Sequence, residues 1–231
     1  MNVALVIPAL NESECLETLL PLIPASVQTI VVDNGSDDDT YAVAQRLGAV
    51  CVWEPNRGYG TAVQAGLRHL ASAPPDVVAI MDADLSHLPS ELDALLTPLR
   101  EARADMVLAD RTAFAQRGAL TWPQRLGNAL ATRLIAWHTG YHYRDMGPFR
   151  ALHWDALLRL ELRDPTWGWN VEMQMRAAQH QLRIEEISLP YRPRAGGVSK
   201  ISGTLIGSIR AGVRILLSTY RYRETQHASH P

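Results

Sequence analysis

Cysteine is nearly missing from this chain: Cys15 and Cys51 are the only two in 231 residues. Two cysteines, each in an apolar stretch, make no disulfide framework, and the reducing cytosol is the compartment to expect. Lysine is scarcer still, since Lys200 stands alone among 22 basic residues. No uninterrupted apolar run is long enough to span a bilayer. The N-terminus enters a strand-like run, Val3-Ala4-Leu5-Val6-Ile7, with no basic region and no small-residue cleavage site, so no signal peptide is expected. Internal repeats and low-complexity tracts are absent too. What remains is an ordinary globular composition, 47% hydrophobic and 20% charged. The length suits one domain, or one domain with an appendage.

The net charge of −2 conceals an asymmetry. Residues 191–231 hold seven of the 22 Lys and Arg but one of the 24 acids. An acidic body with a basic C-terminal segment points to an anionic partner at that end. No nucleic-acid partner is expected.

The first half alternates apolar runs at 3–9, 28–33, 49–53, 77–82 and 105–109 with helical patterns near 13–22, 39–47, 60–72 and 90–103. Strands separated by helices predict an α/β fold with a mostly parallel, Rossmann-like, doubly wound sheet. Beyond residue 110 a helix is expected over 122–139, then a loop at 145–150, helices at 153–161 and 168–180, and a strand over 182–189. The 3.6-residue period predicts a last, amphipathic helix over 201–220. Its apolar side gathers Leu205, Ile206, Ile209, Val213, Leu216, Leu217 and Tyr220 beside an Arg210, Arg214 and Arg221 stripe. That is the pattern of a helix lying in a membrane interface, and equally of one packed on a core.

The run Val77-Val78-Ala79-Ile80-Met81 ends in Asp82-Ala83-Asp84. Open α/β sheets bind ligands at the C-terminal ends of their strands. Two carboxylates delivered there repel unless a cation lies between them, and hard oxygen ligands suit Mg2+ or Mn2+ together with substrate phosphates. An isolated Asp-X-Asp is more often a plain strand end, so its neighbours decide. Pro8-Ala9-Leu10-Asn11-Glu12 follows the first strand, with Asn11 or Ser13 able to cap the next helix. Asp33-Asn34-Gly35-Ser36 follows the second, placing Asp33 to accept from a base or ribose, with Asp37 to Asp39 as solvated turn residues. Asn56-Arg57-Gly58-Tyr59-Gly60 follows the third, and its glycines let backbone approach a ligand or a neighbouring element. This is neither a dinucleotide fingerprint nor a Walker A loop. Arg111 follows the fifth strand, where a cation suits a metal-bound diphosphate.

In their order and spacing these pieces resemble family 2 glycosyltransferases of the GT-A fold, above all the dolichol-phosphate mannose synthase branch of polyprenyl-phosphate glycosyltransferases. The resemblance extends to Leu85-Ser86-His87-Leu88-Pro89, Asp145–Arg150, Trp167-Gly168-Trp169-Asn170-Val171-Glu172 and Arg194-X4-Ser199-Lys200. It implies donor contacts from Pro8, Ala9, Asn11, Glu12, Asp33, Arg57, Gly60, Asp82, Ala83 and Asp84, with Asp82 and Asp84 holding Mg2+ or Mn2+. An acceptor phosphate is implied at Arg111, Arg125, Arg194, Ser199 and Lys200, and catalytic roles at Asp84, Arg111 and Glu172. Three departures stand out: Asn34 replaces an acid, Ser86 a frequent Gln, and Ala129 a Ser.

The implied reaction moves a hexose, with inversion, from a nucleotide-diphosphate sugar of GDP-mannose or UDP-glucose type to a polyprenyl or dolichyl phosphate. A lipid phosphate is already anionic near neutral pH and needs cations, whereas a hydroxyl acceptor needs a base, for which Glu172 is the family position. The i, i+4 pair Glu172 and Arg176 equally suits a structural or positioning role. The alternatives are transfer to a hydroxyl, or a non-catalytic sugar-nucleotide-binding protein. A GT-A domain over 1–200 is expected, split into a nucleotide-sugar half (1–110) and an acceptor half (111–200). Residues 201–231 would form the amphipathic helix and basic tail. Contact with the inner face of the cytoplasmic membrane is expected through 201–223.

Overall fold

A computed structural model describes residues 1–195. Ser199, Lys200, the loop glycines Gly196 and Gly197 and the expected helix over 201–220 lie outside the described residues.

Apolar runs become strands and the periodic stretches between them become helices. In chain order these are β1 (Val3–Ala9), α1 (Ser13–Leu19), β2 (Val27–Asp33), α2 (Thr40–Arg46), β3 (Val50–Trp53), α3 (Tyr59–Leu70), β4 (Val77–Ile80), α4 (Leu92–Arg100), β5 (Met106–Asp110), α5 (Trp122–Thr139), β6 (Arg150–His153), α6 (Trp154–Arg159), α7 (Gly168–Gln179) and β7 (Ile184–Ser188). The sheet order is β3-β2-β1-β4-β6-β5-β7. All pairs are parallel except those of β6, which runs antiparallel to both β4 and β5.

The strand β6 corrects the expected loop at 145–150 and the helix start at 153. Its four residues include an arginine and a histidine and show no alternation. Neighbouring strands supply the burial: Arg150, Ala151 and Leu152 are 0% exposed. The sheet is therefore mixed, with one antiparallel strand wedged between two that point the same way.

Successive residues of a central strand face opposite sides. Ala4, Val6, Ile30, Val32, Val78 and Ile80 pack with Val63 of α3, Ile135 of α5 and Trp169, Val171 and Met173 of α7. Leu5, Ile7, Val31, Val77 and Ala79 pack on the other side with Leu16 of α1 and Leu95 and Leu99 of α4. Such strands need apolar residues at every position, which explains the unbroken runs in the sequence. The same geometry gathers the C-terminal ends of β1, β2, β4 and β5 at one rim of the sheet.

Candidate active site

The loops after β1 and β2 lock together. Asn11, at a φ of +54°, accepts the Asp37 N–H at its Oδ1 (2.7 Å), and its own N–H donates to Ser36 Oγ (2.9 Å). Ser13 Oγ donates to Asp38 Oδ2 (2.7 Å), and the Thr40 N–H to Asp38 Oδ1 (3.0 Å). Burial acts against the Asp38 carboxylate, yet these hydrogen bonds hold it below its ordinary value. This corrects one expectation. The residue preceding α1 is Glu12, with no side-chain cap, because Asn11 and Ser13 are turned toward the other loop. Asp38, exposed as expected of a turn residue, also ties the two loops together.

Asp33 is buried at the end of β2, level with Ala9, and accepts the Ser36 N–H (2.9 Å). Asn34 spends its amide on the third loop. Its Nδ2 donates to the carbonyls of Glu54 (3.0 Å) and Asn56 (2.8 Å), and its Oδ1 accepts the Gly58 N–H (2.7 Å). A carboxylate could make only the last of these bonds, so the departure at Asn34 is a structural device of this chain. Arg57 is exposed and donates to the Gly35 carbonyl and Asp37. Gly60 faces protein: a Cβ there would sit 2.0 Å from the Asp164 carbonyl oxygen. The loop at 164–166 lies against the start of α3, and the Thr61 N–H donates to the Pro165 carbonyl (3.0 Å).

Asp82, Ala83 and Asp84 leave β4 at the rim, beside the half-buried Pro8 of β1. Leu85 follows at a φ of +62°, a conformation that residues with a Cβ rarely adopt and that concentrates at functional sites. Burial and the neighbouring Asp84 charge push the Asp82 carboxyl above its ordinary value, while Arg111, Arg194 and Arg150 pull it back. Arg194 reaches in from the segment after β7. It pairs with Glu12, and its Nη1 lies 3.7 Å from Asp84 Oδ2. Backbone bonds from Arg192 to Ser86 (3.0 Å) and from Ala195 to Asp84 (3.1 Å) hold that segment across the rim. His87 is buried, with Nδ1 3.1 Å from Glu91 Oε2 and its ring against Phe149 and Tyr191, which is a structural place. Burial and Glu12 push the Cys15 thiol beneath the site up to about 11, so it stays protonated.

Arg111 meets a partner that the sequence did not announce. Its Nε and Nη2 donate to the two carboxylate oxygens of Asp145 at 2.7 and 2.8 Å, and its N–H adds a third bond at 2.9 Å. Tyr191 lies beneath the guanidinium, 5.2 Å from it. Gly147 makes room, since a Cβ there would sit 2.4 Å from the Ala109 carbonyl oxygen. Behind Asp82 lies Arg150, fully buried, hydrogen-bonded to the Gly147 carbonyl and 3.4 Å from the Met173 sulfur. Burial pulls its pKa down, and the nearby Tyr59 and Asp82 push back.

Two residues from the sequence reading lie apart from this group. Arg125 is on the exposed side of α5, its Nε 3.4 Å from the Leu120 carbonyl. Glu172 is 0% exposed. Its Oε2 accepts the N–H groups of Arg163 (2.9 Å) and Asp164 (2.7 Å), and Oε1 lies 3.3 Å from Arg176 Nε. The carboxylate braces the turn that packs on Gly58 and Gly60.

The sequence model of Glycosyl transferase family 2 matches residues 4–157. An uncharacterized glycosyltransferase of Mycobacterium tuberculosis is 41% identical over 215 residues, covering 90% of this chain and 94% of its own length. The undecaprenyl-phosphate mannosyltransferase of Micrococcus luteus is 30% identical over 228 residues, covering 90% of each chain. Among solved structures, glucosyl-3-phosphoglycerate synthase from M. tuberculosis, in complex with Mn2+, UDP-glucose and phosphoglyceric acid, matches with a TM-score of 0.71 at 23% identity. It covers 95% of this chain and 80% of that one, a likeness of fold. With the family model spanning β1 to α6 and such relatives aligned along most of its length, the chain belongs to glycosyl transferase family 2.

Proposed function

We propose that this enzyme transfers a hexose, with inversion, from a nucleotide-diphosphate sugar to a polyprenyl phosphate, in the presence of Mg2+ or Mn2+. The observation that carries the reading is where the charges stand. Arginines Arg111 and Arg194 lie beside the Asp82–Asp84 pair, and the one family candidate for a base, Glu172, has its carboxylate committed to two backbone N–H groups. A lipid phosphate requires cations and no base. The name of the Micrococcus relative agrees with such an acceptor.

The donor set fits a hard divalent cation. Asp82 and Asp84 leave the same strand end, and the charge of Asp84 raises the cost of charging Asp82. Among the described residues no cluster of three or more His, Cys, Asp and Glu could hold a metal, so Asp82 and Asp84 would share the ion with donor phosphates and water. When bound, the cation supplies Lewis-acid neutralisation of the leaving diphosphate. Pro8, Ala9, Asn11, Glu12 and Asp33 shape the nucleoside side of the rim. Arg111, kept charged and oriented by Asp145, faces the phosphates. Residues 1–110 would then act as the donor half and 111–200 as the acceptor half, with Ser199 and Lys200 as further contacts for the acceptor phosphate. No helix among the described residues is long and apolar enough to cross a membrane, which fits a peripheral enzyme at the inner membrane face.

The test is a transfer assay with GDP-mannose and UDP-glucose as donors. Undecaprenyl phosphate or 3-phosphoglycerate serves as acceptor, each with Mn2+ and with EDTA. Metal-dependent product on the lipid phosphate is expected. Transfer to the hydroxyl acceptor alone would overturn the reading and return Glu172 to the role of base.

A further inference from the structure

Trp167 packs into neither core of the sheet, and it is 41% exposed. Its ring is nonetheless held. The indole lies flat on the Tyr59 ring, with centroids 4.7 Å and planes 21° apart, and the buried Tyr59 meets Trp169 edge-on at 6.4 Å. The turn that carries Trp167 is bonded throughout. Asp164 Oδ1 accepts the Thr166 N–H (2.7 Å) and the Thr166 hydroxyl (2.8 Å). Gln64 Nε2 and Thr61 Oγ1 donate to the carbonyls of Asp164 and Pro165, each at 3.0 Å. Gly58 and Gly60 let the turn press on α3, since a Cβ at Gly58 would sit 2.3 Å from the Pro165 carbonyl oxygen. Two glycines and the buried Glu172 carboxylate thus hold an aromatic plane partly out of the fold. The core gains little from an indole left open to water, but ligand sites are built from rigid aromatic surface with a few placed polar groups.

That plane stands on the same side of the sheet as Asp82. Val78 and Ile80 pack toward α3 and α7, and Met81 and Ala83 toward α4, so alternation puts Asp82 on the α3 and α7 side. Burial, and then the Asp82 charge, push the Tyr59 phenol well above its ordinary value, so the ring beneath Trp167 feels that carboxylate. Asn170, half-buried, stands beside the Tyr59 hydroxyl. The expected base contact lies elsewhere. Asp33 continues β2 on the other side, with Val31, and β1 separates β2 from β4. A donor with its base at Asp33 and its diphosphate at Asp82 and Asp84 carries its sugar onward, toward Trp167.

We propose that Trp167 seats the transferred hexose, whose apolar C–H face lies on the indole face turned away from Tyr59. The indole thereby fixes where the anomeric carbon stands relative to the Asp82–Asp84 pair. Asn170 supplies an amide able to donate to and accept from a ring hydroxyl. The turn around the indole is polar, with Asp164, Thr166 and Asn170, and one aromatic plane among polar groups suits a sugar rather than a prenyl chain. The proposal rests on the transferase reading above and deepens it, naming a residue that positions the group transferred.

The experiment is titration calorimetry of the full chain in Mn2+, pairing GDP with GDP-mannose and UDP with UDP-glucose. Wild type is compared with Trp167→Ala and Trp167→Phe. In the pair that wild type binds more tightly, Trp167→Ala should weaken the sugar nucleotide about tenfold, because only the sugar reaches the indole. The nucleoside diphosphate should bind as it does to wild type, which also reports that the variant is folded. Trp167→Phe keeps a ring and should recover most of the loss. A sugar nucleotide bound equally by Trp167→Ala and wild type would overturn the proposal. Equal weakening of sugar nucleotide and nucleoside diphosphate would overturn it too, since the indole would then serve the base, the diphosphate or the fold. Wild type that binds neither pair would end the transferase reading and this proposal with it, whereas a variant that binds like wild type ends the proposal alone.

Discussion

The two halves of this molecule carry opposite charge. Residues 1–110 hold sixteen acids against five arginines, and residues 111–195 hold twelve arginines against seven acids. The first half uses its acids at strand ends and in the loops after them, where Asp33 and Asp38 brace loops and Asp82 and Asp84 stand together after β4. The second half offers arginines, and where it buries an acid it spends it on one of them or on backbone N–H groups, as at Asp145 and Glu172. The proposed metal-bound donor and anionic acceptor would need that division: carboxylates to hold a cation on one side, cations to hold a phosphate on the other.

The strongest blow to this division is Asp84→Asn. Turnover should fall about a hundred- to thousandfold, in line with the loss of a preorganised charge at a leaving group. The melting temperature should stay close to wild type, because the pair repels rather than supports the fold. Wild-type turnover in EDTA would remove the metal from the acidic half altogether.

Asp145→Asn strikes the basic half. Asp145 is 1% exposed and Arg111 14%. Leaving that arginine without its carboxylate should cost about 2–4 kcal/mol in urea denaturation, somewhat below the full penalty for a deeply buried orphan charge. Burial opposes the Asp145 carboxylate, but hydrogen bonds and charge from Arg111 hold it below its ordinary value. Its contribution is therefore present above the unfolded pKa and lost as pH falls through the folded one. A variant whose acid sensitivity matches wild type would dismiss the pair as a stabilising element.

Asn34→Asp sharpens the comparison within the acidic half. One more acid would face the carbonyls of Glu54 and Asn56 instead of donating to them. A loss of about 1–3 kcal/mol is expected. Unchanged stability would mean that the third loop does not depend on this amide.

The last effect concerns the pH response of Asp82. Its carboxyl is raised first by burial and then by Asp84, so the folded protein holds that proton more tightly than the unfolded chain. Metal-free protein should lose stability as pH rises from the ordinary carboxylate range through the raised value. Saturating Mn2+ should flatten the slope. Melting curves against pH, in EDTA and in Mn2+, check it; identical slopes would separate Asp82 from the cation.

Much of this was legible in the sequence because it is local. The runs that became β1 to β5, and the placement of Asp82-Ala83-Asp84 at a strand end, follow from periodicity within a few residues. What escaped depends on partners far along the chain. Asn11 and Ser13 read as caps because their true partners, Ser36 and Asp38, lie twenty-five residues away. Asp145 reaches Arg111 across thirty-four positions. The strand β6 escaped because four residues carry no period and owe their burial to β4 and β5.

That strand also bears on how the molecule is made. β5 pairs only with β6 and β7, both of which follow it in the chain. When residue 110 leaves the ribosome, β1 to β4 can already assemble, but β5 has no neighbour to join. Its five buried residues must wait until about forty more have been synthesised and Arg150–His153 can fill the gap beside β4. The rim at the ends of β1, β2 and β4 can form early; Arg111, which stands beside it, is held back until the second half of the chain arrives.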